Sequence, residues 1–141
     1  MKEYKRGYTA GVYDMFHVGH LNVIKNAKAL CDYLIVAVST DVVVETAKHK
    51  KPIIPFEERA KIVEAIRYVD KVVPQESYDI DAKIKAAIEN KIDVMFVGDD
   101  WKGTEKWNII EEKLHLIGVD LVYLPHTNGI SSTMLREVLN I

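Results

Sequence analysis

The sequence predicts an α/β fold, a doubly wound and mainly parallel sheet forming a single domain over residues 1–141. Three observations carry that expectation. Apolar runs of strand length alternate with stretches in which apolar residues recur every three or four positions. The chain is long enough for one compact core, and it holds no internal repeat, linker or low-complexity tract. Its chemically capable residues gather just after the apolar runs, where such sheets bind their ligands.

Taken in order, Tyr8–Val12 reads as the first strand. His17 to Leu30 follows as a helix, with Val18, Leu21, Ile24 and Ala27 on one face. Tyr33–Ser39 is a continuous apolar run, suited to a strand covered on both faces. Glu45–Ile54 is polar and lysine-rich and reads as a loop. Pro55-Phe56-Glu57-Glu58 has the signature of a helix start, and that helix runs to about Arg67. Lys71–Val73 is a short strand. Asp79 to Asn90 is helical, with Ile80, Ile84, Ala87 and Ile88 inward. Val94–Val97 is a strand ending at Gly98, and Trp107 to about Leu116 is a helix that Gly118 stops. Leu121–Leu124 is the last strand. Ser131 to Leu139 is the last helix, its apolar side formed by Met134, Leu135 and Val138. The alternation is Rossmann-like.

Charge and composition narrow the function. A formal net charge of −2 argues against broad electrostatic capture of nucleic acid or of an anionic membrane. The one cysteine, Cys31, cannot form an intrachain disulfide and reads as a small buried hydrophobe at a helix end. Met1 to Gly7 is charged, no apolar signal region follows it, and no run approaches the about 18 apolar residues of a membrane span. The expectation is a soluble, cytoplasmic protein with neither nucleic acid nor membrane as partner.

The first strand runs into G-V-Y-D-M-F-H-V-G-H, Gly11 to His20. Free N–H groups at a helix start favour an anion. His17 and His20, three apart, share a face and can address the same anion, and Gly19 lets it approach the backbone. The arrangement suits phosphate; the alternative is a pair of capping or core histidines. Zinc lacks a third ligand and an H-E-x-x-H, and the glycine patterns of dinucleotide sites and P-loops are absent.

Lys48-His49-Lys50-Lys51 lies in a long connection after a strand, either as a solvated loop or as lysines able to swing onto a triphosphate. Arg59 and Arg67 follow on the next helix, and one or both serve as surface charges or ligands. Gly129, Ile130, Ser131, Ser132 and Thr133 form a cap or a second anion-binding helix start. Together these features describe a polyphosphate pocket. No Ser-His-Asp arrangement stands out, so direct displacement at phosphorus is expected.

Five segments carry a resemblance: Gly11–His20, Asp32–Asp41, Arg67–Asp70 (R-Y-V-D), Gly98–Trp101 (G-D-D-W) and Gly129–Thr133 (G-I-S-S-T). They resemble the nucleotidylyltransferases with an H-x-G-H motif, within them the cytidylyltransferases, and most closely those that use glycerol-3-phosphate. The resemblance implies transfer of CMP from CTP to a phosphorylated alcohol, with pyrophosphate released, Mg²⁺ as cofactor and a homodimer with R-Y-V-D near its interface. It implies that His17 and His20 contact the CTP phosphates, one of them as a protonated donor. Lys48 would bridge acceptor and α-phosphate, and Lys50 would hold the triphosphate. Arg67 and Asp100 would hold the nucleoside, Thr127 and Ser131 would bind the β- and γ-phosphates, and the backbone at Val12 and Tyr13 would line the site.

Two departures stand out. His126 replaces the family arginine, so triphosphate binding is expected to weaken, or to rise at lower pH, because a neutral imidazole cannot clamp phosphate in two places. Tyr78-Asp79-Ile80-Asp81 stands where the glycerol-3-phosphate enzymes have a tryptophan and lysines. If Asp81 rims the acceptor site, phosphoethanolamine or phosphocholine becomes the alternative acceptor, with another polyol phosphate a further one; the other reading of Asp81 is a solvated acid at a helix start. An adenylyltransferase and a nucleotide-binding regulatory protein remain as rival readings.

Overall fold

A computed structural model describes residues 2–141. Five strands form one all-parallel sheet: β1 Tyr4–Gly11, β2 Cys31–Ser39, β3 Lys71–Gln75, β4 Val94–Gly98 and β5 Asp120–Leu124. Their spatial order is β3-β2-β1-β4-β5. Six helices connect or follow them: α1 Val18–Leu30, α2 Asp41–Lys48, α3 Phe56–Glu64, α4 Ile80–Glu89, α5 Glu105–Leu116 and α6 Ser132–Leu139.

The chain builds outward from β1 to β3, then returns to place β4 on the other side of β1. Right-handed crossovers therefore put the later helices on the opposite face. On one face, Leu34, Val36, Val38 and Phe96 pack with Ile24 and Ala27 of α1 and Val63 of α3. On the other, Ile35, Ala37 and Met95 pack with Ala87 of α4 and Trp107, Ile110 and Leu114 of α5. Strand β2 is thus covered on both sides, which is why its sequence is apolar without alternation. Among the described residues, no helix is long and apolar enough to cross a membrane.

Several boundaries differ from the sequence expectation. Strand β1 begins at Tyr4 and β2 at Cys31, which pair with each other. Cys31 therefore opens a strand; its fully buried Sγ meets the space over Gly7, where an added Cβ would lie 2.8 Å from it. The Glu45–Lys48 part of the expected loop is helical. Thr40 caps α2 by accepting from the Val43 N–H, Asp41 occupies its first turn, and Val44 is buried. Helix α3 ends at Glu64, and tighter turns carry the chain to β3. Val18 and Ile88, expected inward, are 54% and 59% exposed. In α6 no residue is buried, and Val138 is 77% exposed, so the apolar side read from the pattern faces solvent in this chain.

Candidate nucleotide site

The reversal of strand order between β1 and β4 opens a crevice at the carboxyl edge of the sheet. A cleft of about 910 Å³ occupies it. Its floor is Thr9 to Tyr13 at the end of β1, and its walls come from the start of α1, the end of α2, the turn after β4, and the segment from His126 through α6.

The start of α1 shows how two imidazoles serve a helix terminus. His17 is the N-cap, and its Nδ1 accepts the Gly19 N–H at 3.0 Å. The Nδ1 of His20 accepts the His17 N–H at 3.2 Å, completing a reciprocal capping box. With each Nδ1 used as an acceptor, the proton of each neutral ring sits on Nε2. The rings stack at 3.8 Å, and the buried Nε2 of His17 has no partner within the protein. Desolvation lowers the His17 pKa. Desolvation, reinforced by His17 and opposed by Asp14, pushes His20 down to about 4. Burial therefore disfavours the protonated form of both rings in the free protein.

Gly19 has a role the sequence reading missed. An added Cβ would lie 2.8 Å from His17 Cε1 and 2.9 Å from its Nδ1. Glycine here makes room for the capping ring. Before it, Tyr13 and Met15 adopt left-handed backbone angles, φ 56° and 49°. Non-glycine residues hold that conformation only when their surroundings impose it, and Tyr13 is buried.

The second helix start faces the same cleft. Ser131 caps α6 by accepting the Met134 N–H at 3.0 Å. Ser132 Oγ donates to the Asp14 carbonyl at 2.6 Å, and Asn22 of α1 donates to Thr127 Oγ1 at 2.9 Å. These bonds tie the two helix starts together.

His17, His20, Val12, Tyr13, Gly19, Lys48, Lys50, Asp100, His126, Thr127, Ile130, Ser131 and Ser132 all line the cleft. Gly129 does not line it but turns the chain into it, at φ 86°. Two of the named residues fall elsewhere. Arg67 precedes β3, at the amino edge of the sheet; it is exposed and donates to Tyr68 Oη at 2.8 Å. Asp70 of the same segment accepts the Leu34 N–H and the Lys28 ammonium, so R-Y-V-D fastens strand ends here. Asp81 lies in a separate shallow depression beside Lys106 and Lys113, 3.5 Å from Lys113 Nζ and outside the cleft.

His126 is exposed, with Nδ1 2.9 Å from Asp99 Oδ1 and 3.7 Å from Asp100 Oδ1. The hydrogen bond to Asp99 raises its pKa, with the charges of Asp99 and Asp100 adding to the effect.

Sequence reasoning missed Asp14 and Arg136, and it left Arg59 open between a surface charge and a ligand. Asp14 is buried and accepts the Ile53 and Ile54 N–H groups at 2.7 and 2.9 Å and Arg136 at 3.0 Å. Arg59, 1% exposed, donates to Ile54 O, Val12 O, Ser39 O and Asp41 Oδ1. It thereby joins the ends of β1 and β2 to the start of α2 beneath the cleft floor. The signal for Asp14 was its place in the loop after β1; nothing in the sequence distinguished Arg59 from a surface arginine.

A parallel sheet whose switch-point crevice holds two tethered helix starts and two donor imidazoles defines a nucleotide-handling domain of the Rossmann-like class. The chain belongs to the cytidylyltransferase-like family, whose model matches residues 8–138. A glycerol-3-phosphate cytidylyltransferase of Bacillus subtilis (strain 168) is 40% identical over 133 residues, covering 94% of this chain and 95% of that one. An FAD synthase of Pyrococcus abyssi is 40% identical over 123 residues, covering 86% and 80%. The crystal structure of a lipopolysaccharide core biosynthesis protein from Thermoplasma volcanium superposes with a TM-score of 0.71 at 27% identity, over 88% of this chain and 97% of that one.

Proposed function

We propose that the protein is a nucleotidyltransferase that moves CMP from CTP to glycerol-3-phosphate, giving a CDP-alcohol and pyrophosphate. The observation that carries the reading is the unpartnered, buried His17 Nε2 at a helix start, with a second helix start lining the same cleft. The full-length match to a relative of that name supports the acceptor.

In this reading an oxygen of the acceptor phosphate attacks the α-phosphorus of CTP. A new P–O bond forms as the bond to the bridging oxygen breaks, and pyrophosphate leaves with that electron pair. Negative charge builds on the phosphoryl oxygens, and fixed donors that need no reorganisation stabilise it. The Nε2–H groups of His17 and His20 supply such donors, preset by their Nδ1 bonds. Lys48, at the end of α2, and Lys50 both line the cleft; in this reading Lys48 neutralises the acceptor and α-phosphates, and Lys50 the triphosphate. Thr127 and Ser131 are assigned to the leaving phosphates and Asp100 to the nucleoside.

Mg²⁺ fits this site as a passenger on the nucleotide. Among the described residues the metal-like grouping is Asp99, Asp100 and His126, whose ring nitrogen is engaged by Asp99, whereas Mg²⁺ prefers an all-oxygen octahedron and commonly binds through substrate phosphates. When bound, it would neutralise phosphate charge. A homodimer is proposed from the resemblance.

The position of Asp81 outside the cleft removes the reason to expect a cationic acceptor. Adenylyl transfer stays as the rival reading, so ATP is compared with CTP. Pyrophosphate release is to be measured with CTP or ATP crossed with glycerol-3-phosphate, phosphoethanolamine and phosphocholine. Release with CTP and glycerol-3-phosphate is expected; release with ATP alone would move the protein to adenylyl transfer.

A further inference from the structure

We infer that Asp99, Asp100 and His126 form a binding site for a divalent transition metal of the zinc class at the edge of the cleft, separate from the Mg²⁺ that travels on the nucleotide. The site stands on its own three ligands and does not need the nucleotide reading.

The three side chains come from two loops at the carboxyl edge of the sheet. Asp99 and Asp100 follow β4, and His126 follows β5, the neighbouring strand. Their ligand atoms all lie within 4.8 Å of one another. His126 Nδ1 is 2.9 Å from Asp99 Oδ1 and 3.7 Å from Asp100 Oδ1. Metal bonds of about 2.1 Å in a tetrahedral site set the ligand atoms about 3.4 Å apart, and the two distances bracket that spacing. Among the described residues, the imidazole is the one basic group within ion-pair distance of either carboxylate, and neither carboxylate accepts a hydrogen bond from any other group. Two acids that no lysine or arginine neutralises repel each other, and a divalent ion between them offsets the repulsion.

The donor set selects the ion. One imidazole and two carboxylates mix nitrogen with oxygen, which suits Zn²⁺ and its first-row neighbours, whereas Mg²⁺ and Ca²⁺ prefer oxygen alone. To serve as ligand, Nδ1 gives up its bond to Asp99 and the ring carries its proton on Nε2. His126 and Asp100 are exposed and Asp99 is half-buried, so water completes the coordination and the ion enters without a change of fold. An arginine at position 126 would fill this place with a fixed cation; histidine leaves a ligand there. The competing explanation is a hydrogen-bonded surface pair with no metal. Asp100 is also the residue assigned to the nucleoside, so on that reading an occupied metal site and a bound nucleoside exclude each other.

Calorimetric titration of the metal-free full chain with zinc chloride decides. One Zn²⁺ per chain is expected, with Mg²⁺ binding about 10²-fold weaker or less. His126→Arg and Asp99→Asn should each weaken Zn²⁺ binding about tenfold or more, and their melting temperatures check that they fold. The visible bands of Co²⁺ on the unmodified protein give a second readout: a four-coordinate spectrum is expected, and that of hydrated six-coordinate Co²⁺ would overturn the site. So would Zn²⁺ binding unchanged in both variants, equal affinity for Mg²⁺, or no Zn²⁺ binding. Cytidine brings no phosphate to the ion, and at ten times its Kd it should raise the apparent Kd for Zn²⁺ about tenfold. An unchanged Kd would overturn the exclusion, and failure of cytidine to bind the metal-free protein would instead overturn the nucleoside role of Asp100.

Discussion

His17 closes the helix start with Nδ1, and its Nε2, buried without a partner, is the proposed donor to substrate. The tasks are separable. His17→Asn keeps a good capping side chain, so its melting temperature should stay near that of the unmodified protein while kcat falls about 10²-fold or more, as loss of a transition-state donor does. His17→Ala should lose turnover and about 1 kcal/mol of stability as well. Normal turnover in His17→Asn would refute the donor role. Burial of His20 also has a pH signature. Its folded pKa, about 4, lies below the usual imidazole value, so between the two the unfolded chain binds the extra proton. Stability should therefore be full above pH 6.5 and decline as pH falls from 6.5 towards 4. Urea unfolding at pH 7, 5.5 and 4.5 checks this, and His20→Gln should flatten that part of the profile. The three-residue spacing was legible because it is helical arithmetic. The direction of each ring was not, because it follows from hydrogen bonds between side chain and backbone that no pattern of residue types encodes.

The elements most legible in the sequence were those set by burial. Strand β2 announces itself as an unbroken apolar run because helices cover both its faces. Helix α2 was harder to read. Its Val42-Val43-Val44 run has strand-like character, and only the Thr40 cap and the burial of Val44 resolve it. Helix α6 misled differently: its spacing is amphipathic, yet polar bonds from Ser132 and Arg136, not buried side chains, fasten it. Arg59 shows what element-level reading cannot see, a cation whose partners are mostly carbonyls from distant strands. Arg59→Met removes the donor of those carbonyls, while the Asp41 carboxylate, 40% exposed, keeps the Phe56 N–H. It should destabilise by about 1–3 kcal/mol for the buried carbonyls left unpaired, read as a lower urea midpoint. A loss below about 1 kcal/mol would show that water replaces the guanidinium. For comparison, Ile110→Ala in α5 should lose about 2–5 kcal/mol by cavity formation alone.

At the scale of the whole molecule, one topological fact places the site. The strand order reverses between β1 and β4, so the loops after those strands part and leave room for a ligand. That much followed from the alternation of strands and helices, and so did the gathering of polar residues at one edge. Arg67 was assigned by resemblance to the nucleoside and its segment R-Y-V-D to a dimer interface; the fold puts Arg67 at the opposite edge of the sheet from the cleft because it precedes its strand. The proposed homodimer is checked by light scattering on the purified chain. A mass of twice the single chain is expected, and a monomer at micromolar concentration would retire the proposal.

Gly7 leaves a space that Cys31 fills, and the thiol is sealed there, with burial also raising its pKa. A disulfide reagent can reach it only when the sheet opens, so the labelling rate of this lone sulfur is a clock for that opening. Anything that binds the closed form slows the clock by the factor one plus ligand concentration over Kd. The protein thus carries its own binding sensor, far from the cleft and silent about catalysis, on which CTP, ATP and CMP can be ranked before any acceptor is known.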